Sequence, residues 1–379
     1  MESLEKRFKE IHLLSREERL KILKEIEILK PEFAKPFFPQ WWWWRRCTVK
    51  VLIVTDGGLK FDTTAGGLSE FLTTFNQLQA TTWNNYQLTL GHRTSSPSSS
   101  NPLVVNHFNN FKFDTSVAIN DFDQVWLFGI DSGTPINATE NTAIENYMNG
   151  GGGLFATGDH GSLGRAMCGN IARVKDMRHW SDFPSSPDLT NEVSMGGWKR
   201  NDTNRPAEGD ATSLFFDNQS DNIPQTIGVR MFGTGLPHPL LSCSSSIRPS
   251  RIIDIMPDHP HEGECKQETT FMANGINIQS QIIATSFVLG GSTTNGGDGG
   301  KALTVPHCFP SIAVWDGRSA NVGRIVIDST WHHFVNINLN GEGSQGSGFS
   351  NNDIPLRQSG LTPADFVVIS STLLNLISR

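Results

Sequence analysis

A chain of 379 residues has room for one large domain or two ordinary ones, each with an ample core. Its formal charge of −7 and pI near 5.9 leave no overall basic footprint for nucleic acid. Five scattered cysteines without a CxxC pair suggest neither a zinc knuckle nor a disulfide framework, no run of about 18 apolar residues marks a membrane span, and the charged N-terminus lacks a secretion signal, so a cytoplasmic protein is expected.

Residues 1–46 differ in composition from the rest. Met1 to Lys30 is rich in Lys, Arg and Glu, with Leu20, Leu23, Ile26 and Ile28 at helical spacing. Ser15 and Glu18 form a candidate capping box, and Pro31 ends the pattern. The segment PEFAKPFFPQWWWWRR follows, with three prolines against regular structure and Trp41 to Trp44 in need of burial. This helical and aromatic arm is expected to pack on the body, on a second copy of the chain or on another partner.

The body, residues 47–379, begins with the β-branched run TVKVLIVTDGG, a buried strand with Asp56 at its polar end. Ala65 to Gln79 reads as a helix with Leu68, Phe71, Leu72, Phe75 and Leu78 on one face. YQLTLGHR is a second strand and Ser95 to Pro102 a loop. FDQVWLFGID is a third strand ending in Asp131, and Asn137 to Asn149 a helix. GGGGLFATGDHGSLG then gives a glycine turn, a short buried strand and a sharp turn carrying Asp159 and His160, with a further helix expected near Ser162. Such a strand, tight turn and helix raise one side chain above the carboxyl edge of a parallel sheet. Here that residue is His160.

Strands alternating with helices predict an α/β fold built on a doubly wound, mostly parallel sheet. Residues 165–305 break the rhythm and read as a long insertion over the carboxyl edge, with strands at Ser250 to Met256 and Gln279 to Leu289. SIAVWDG and GRIVIDSTWHHF restore the rhythm, and Pro363 to Ser378 is the expected closing helix.

Three histidine–carboxylate clusters carry the candidate chemistry. They are Asp159 with His160, the run Asp258-His259-Pro260-His261-Glu262, and Asp328 with His332 and His333. Imidazole and carboxylate suit one divalent metal (Zn, Fe or Mn), with His160, His259, His261, Glu262 and His333 as candidate ligands. Without a metal, His160 held by Asp159 or Asp328 is a candidate general base on water. The histidines could also simply bond backbone carbonyls. On a continuing strand His332 and His333 face opposite ways, so only one would reach the site. Asp56 and Asp131, at two other strand ends, are candidate substrate or metal-shell groups. Arg173, Arg178 and His179 form a basic group suited to an anionic substrate moiety, or to ion pairs with nearby acidic turns. Cys265 and Cys308 lie near histidines in sequence, but neither sits on an elbow.

The GGGG turn, the Gly158-Asp159-His160 tip and the late GRIVIDSTWHH segment resemble the ThuA-like branch of the class I glutamine amidotransferase-like superfamily. ATGDHGSLG, PDHPHEGEC and DSTWHHF are also similar to segments of a group of bacterial proteins. The resemblance covers roughly Thr48 to Gly164 and Ser311 to Phe334, and it implies a flavodoxin-like core. Glutaminase chemistry does not carry over, because the elbow holds His160 where amidotransferases hold cysteine. The expected function is a hydrolase activating water on an amide, ester or glycosidic bond of a small-molecule or peptide substrate. A non-catalytic binding or assembly module, working through residues 1–46, is the reading of a different class.

Overall fold

Apolar side chains alternate between two faces along the first strand, with Val51 and Ile53 in one buried cluster and Leu52 and Val54 in another. Burial on both faces is what a central strand of a covered sheet requires. A computed structural model describes residues 47–64, 66–81, 84–130, 135–158, 163–180, 225–233, 235–242, 252–256, 263–266, 268–288 and 307–340. The N-terminal helix and aromatic arm, and the closing helix expected from Pro363, lie outside the described residues. The chain divides into two compact units, Met1–Cys47 and Thr48–Arg379, and the fold described is that of the second.

The elements in chain order are β1 (Cys47–Thr55), α1 (Ser69–Thr81), β2 (Asn84–His92), β3 (Val104–Asn109), β4 (Gln124–Phe128), α2 (Ala138–Asn149), β5 (Gly153–Thr157) and the single-turn α3 (Arg165–Cys168). After a gap come β6 (Gln225–Thr226), β7 (Gly228–Val229), β8 (Ile255–Met256), β9 (Thr270–Ala273), β10 (Ile276–Gln279), β11 (Gln281–Val288), β12 (His307–Asp316), β13 (Arg324–Asp328) and the short α4 (Asn336–Asn340). Nine of these strands form one sheet in the order β3-β2-β1-β4-β5-β13-β12-β11-β7. Strands β2/β3, β1/β4, β4/β5 and β5/β13 pair in parallel, whereas β12, β11 and β7 continue the sheet antiparallel. Among the described residues the protein is thus α/β, with a large, mostly parallel central sheet and few helices.

One face is covered by α1 and α4, the other by α2 and α3. On the first face Phe71, Trp126, Phe128, Phe155 and Phe334 pack as one aromatic cluster, with ring centroids 4.7–6.5 Å apart in the pairs that link Phe155 and Phe334 to the other rings. The predicted apolar stripe of α1 is buried as expected. Its first turn starts later than the sequence suggests, at Ser69. The Cβ of any other residue at Gly67 would lie 2.2 Å from the Asp62 carbonyl oxygen, so the chain there is still a close-packed turn.

Three further differences from the sequence reading have plain causes. The helix expected after the elbow is only one turn long. Strand β3 was not anticipated because it is an edge strand with little apolar alternation. Strands β7 and β11, which the sequence reading assigned to the insertion, belong to the central sheet. They add its far edge by antiparallel pairing.

The β2 end is clamped to the start of α2. Buried Arg93 forms an ion pair with Glu140 and donates to the carbonyls of Phe111 (3.1 Å) and Pro135 (2.9 Å). Glu140 also closes a capping box with Asn137 and accepts from Phe113 N–H at 3.2 Å. One carboxylate therefore serves a helix cap, a guanidinium and a loop amide. Glu140→Ala should cost about 3–5 kcal/mol by stranding a buried charge. Urea denaturation checks this, and a loss under about 1 kcal/mol would mean that Arg93 finds solvent.

Candidate active site

Strand β13 ends in Asp328, beside Thr157 of β5 on one side and Ile312 of β12 on the other. The chain then turns sharply. Ser329 N–H donates to the Ser311 carbonyl (2.9 Å) and Trp331 N–H to the Gly158 carbonyl (3.0 Å), so the turn is stitched to both neighbouring strand ends. His332–Phe334 form a 3-10 turn, not a continuation of the strand. Phe334 plunges into the aromatic cluster against Phe71, Phe128 and Phe155, which fixes the residue before it.

That residue, His333, is buried, and its Nδ1 lies 2.9 Å from Asp328 Oδ2. The other Asp328 oxygen receives the Thr330 N–H at 3.4 Å. His333 Nε2 is buried and has no hydrogen-bond partner among the described residues. His333 and Asp328 line a small cavity of about 20 Å³ together with Phe155, Leu240, Leu241, Met256, Ile283, Ile312, Val326 and Phe334. His332 instead lays its ring on Trp331, at a centroid distance of 4.1 Å and an interplanar angle of 13°. The two histidines are thus separated by the turn, and not by the in–out parity of a strand.

Behind the turn stands Asn336, to which the sequence reading gave no role. Its amide donates to the carbonyls of Asp62 (2.9 Å) and Thr64 (2.8 Å), and its Oδ1 accepts from Glu70 N–H (2.8 Å) at the start of α1.

The remaining candidates fall into separate places. Asp56 is buried at the end of β1 and accepts from Ile130 N–H at 2.5 Å, which joins the ends of β1 and β4. Arg173 and Arg178 do not form one fork. Arg173 sits at the opposite edge of the sheet, 5.1 Å from the Trp315 ring and donating to Asn149 Oδ1 at 2.8 Å. Its φ of 67° marks the change of direction that parts it from Arg178. Arg178 is fully buried at the carboxyl edge and donates to the carbonyls of His179 (2.9 Å) and Ser329 (2.7 Å). His179 is buried beside it, with its N–H on the Glu264 carbonyl. Cys265 is buried with Sγ 3.4 Å from the Ser311 carbonyl, and burial pushes its thiol pKa well up, which opposes a thiolate nucleophile.

Asp131, Asp159, His160, His259, His261 and Glu262 lie outside the described residues, and so does any metal shell built from them. Described residues next to two of these segments do converge. A Cβ on Gly158, just before Asp159, would come within 3.1 Å of Arg178 Cζ, and one on Gly263, just after Glu262, within 2.3 Å of Arg178 Nη2. Among the described residues no group of three His, Cys, Asp or Glu side chains is close enough to hold a metal. Among the described residues no helix is long and apolar enough to cross a membrane. No family model matches the chain, and no curated protein matches its sequence.

Two predictions follow from this edge. A Cβ at Gly263 would stand 2.0 Å from the Ser329 carbonyl oxygen, a backbone clash that side-chain motion cannot relieve. Gly263→Ala should therefore destabilise by roughly 1–3 kcal/mol, read from its chemical denaturation midpoint; an unchanged midpoint would refute the contact.

The second concerns His92, buried at the end of β2, whose Nδ1 accepts from Thr94 N–H at 3.0 Å. Burial lowers its pKa to about 4, against a smaller upward pull from the Gly57 backbone, and the nearby charges of Lys60 and His107 add still smaller downward pushes. Between about pH 6.5 and 4 the unfolded chain takes up this proton and the folded one does not. Stability should therefore fall as pH drops through that window, and level off for this group below it. His92→Asn keeps an acceptor for Thr94 and should flatten that part of the stability–pH curve; an unaltered slope counts against the assignment.

Proposed function

We propose that the protein is a hydrolase in which His333 is the general base, positioned by Asp328. The observation that carries this reading is a buried Asp–His pair at 2.9 Å that lines a cavity and whose outer nitrogen has no partner among the described residues. The carboxylate holds the proton on Nδ1, so that Nε2 presents its lone pair to a water or to a substrate proton. As Nε2 takes the proton, Asp328 stabilises the imidazolium that forms. Asp159 and His160 complete the site in this reading, since Gly158 accepts from Trp331 N–H beside the dyad. A divalent metal, where one is bound, would take His333 together with His160, His259, His261 or Glu262 and would lower the pKa of bound water. The bond cleaved is an amide, ester or glycosidic bond.

We place the chain, by its motifs, with the ThuA-like branch and its flavodoxin-like core. The inner strands β2-β1-β4-β5-β13 support this. Numbered among themselves they run 2-1-3-4-5, the flavodoxin-like order, with β3 added outside β2. Residues between α3 and β11 then form the larger part of the insertion.

The test is turnover of a panel of chromogenic esters, anilides and glycosides by the full chain. His333→Gln should lower kcat/KM by about 10²–10⁴ with an unchanged melting temperature, and Asp328→Asn should lower kcat more than it raises KM. Metal content measured on wild type and on His333→Gln separates the metal-assisted from the metal-free form. Full activity in His333→Gln would end this assignment.

A further inference from the structure

The wall opposite the dyad carries information about what binds there. Phe155, Leu240, Leu241, Met256, Ile283 and Ile312 supply it, and every one of these side chains is apolar and buried. Among the described residues the polar lining is Asp328 and His333, and Asp328 already serves His333 Nδ1 and Thr330 N–H. A space of about 20 Å³ has room for roughly one water or one methyl group. A water needs two to four polar partners to be well held, and here it would find little beyond Nε2. A methyl or ethyl group needs none.

We infer that the cavity receives the short aliphatic end of an acyl group, so that the substrates are esters or amides of acetyl-like or propionyl-like acids and not glycosides. This rests on the dyad reading above. With the alkyl end in the cavity, the acyl carbon stands at its mouth, next to His333 Nε2. A water deprotonated there adds to that carbon, the C–O or C–N bond breaks, and the proton held by His333 passes to the departing alcohol or amine. A sugar ring carries a hydroxyl on most of its carbons, and each one buried against this wall would lose its hydrogen bonds to water without replacement. A space this small favours a short alkyl end over a long one. Leu240 and Leu241 reach the cavity from a 3-10 turn, Pro239–Leu241, so they close it with side chains that a substitution can trim.

The experiment pairs turnover with binding. The full chain is assayed on p-nitrophenyl acetate, propionate, butyrate and hexanoate and on a p-nitrophenyl glycoside. In parallel, ¹³C-methyl-methionine protein is titrated with acetamide, hexanamide and methyl glucoside, and the Met256 methyl resonance is assigned through Met256→Leu. The expected result is a preference for acetate or propionate over hexanoate of at least about tenfold, and a saturable Met256 shift with acetamide only. Leu240→Ala, or the milder Ile283→Val, should move the cut-off to longer chains. Equal turnover of acetate and hexanoate, abolished in His333→Gln, overturns the inference and leaves the dyad standing. Glycoside turnover without ester turnover does the same. A Met256 response to acetamide with no turnover of any ester or amide sinks the dyad reading while supporting the cavity's preference. No response to any amide overturns the inference outright.

Discussion

A guanidinium without access to water must be solvated by the protein, and Arg178 at the carboxyl edge imposes that requirement on the chain around it. Two of its donors are taken by the carbonyls of His179 and Ser329. Its plane lies over Trp180 at 4.6 Å, and glycines at 158 and 263 admit its head where any Cβ would collide. An unpaired buried charge costs several kcal/mol, so these segments are not free to drift apart. The end of β5 at Gly158, the turn after β13 and the piece at 263–266 are brought to one point around a single side chain. That convergence makes a site at this edge physically reasonable, whatever substrate it serves.

On that frame the dyad is set by packing and not by its own hydrogen bond. Phe334 is locked among aromatic rings and Asn336 is tied to the 62–64 loop and to α1. The residues between them and Asp328 have little choice of path. With about three residues per turn in a 3-10 segment, neighbouring side chains point well apart. His333 therefore turns inward to Asp328 and the cavity, while His332 stacks on Trp331. Each histidine has a distinct environment although they are adjacent in sequence.

The sequence was most legible where burial imposed a period. The β-branched run Val51 to Val54, the Leu68–Leu78 stripe and the helical stretch Asn137 to Asn149 announced β1, α1 and α2 because a buried apolar run and a helical stripe are local signals. The Asp328–His333 pairing was half legible. The residue types were plain, but parity on a strand was the wrong rule once the strand ended at Asp328. Arg173 and Arg178 looked like one basic group because only five positions separate them, yet a residue with φ of 67° and a 3-10 turn send them to opposite edges. The cavity wall was not legible at all. Leu240, Met256, Ile283 and Ile312 come from distant stretches with no common motif, and only the tertiary pairing assembles them. The histidines at 160, 259 and 261 remain readings from sequence.

The reversal of direction beyond β13 explains why the dyad has an apolar neighbour. In a sheet that stayed parallel, the strand beside β13 would bring its own carboxyl end, and a loop with its polar backbone, up to Asp328. Because β12 runs antiparallel, its early residues lie there instead, and Ile312 pairs directly with Asp328. Strand β11 repeats the reversal and sets Ala284 opposite Ile312, with Ile283 turned into the same buried face. Two hairpin-like returns thus convert what would be a solvated strand end into a hydrocarbon floor. Leu240, Leu241 and Met256 are the side chains left to roof it, and the polarity of the space is then decided by the imidazole and the carboxylate that β13 delivers to its rim.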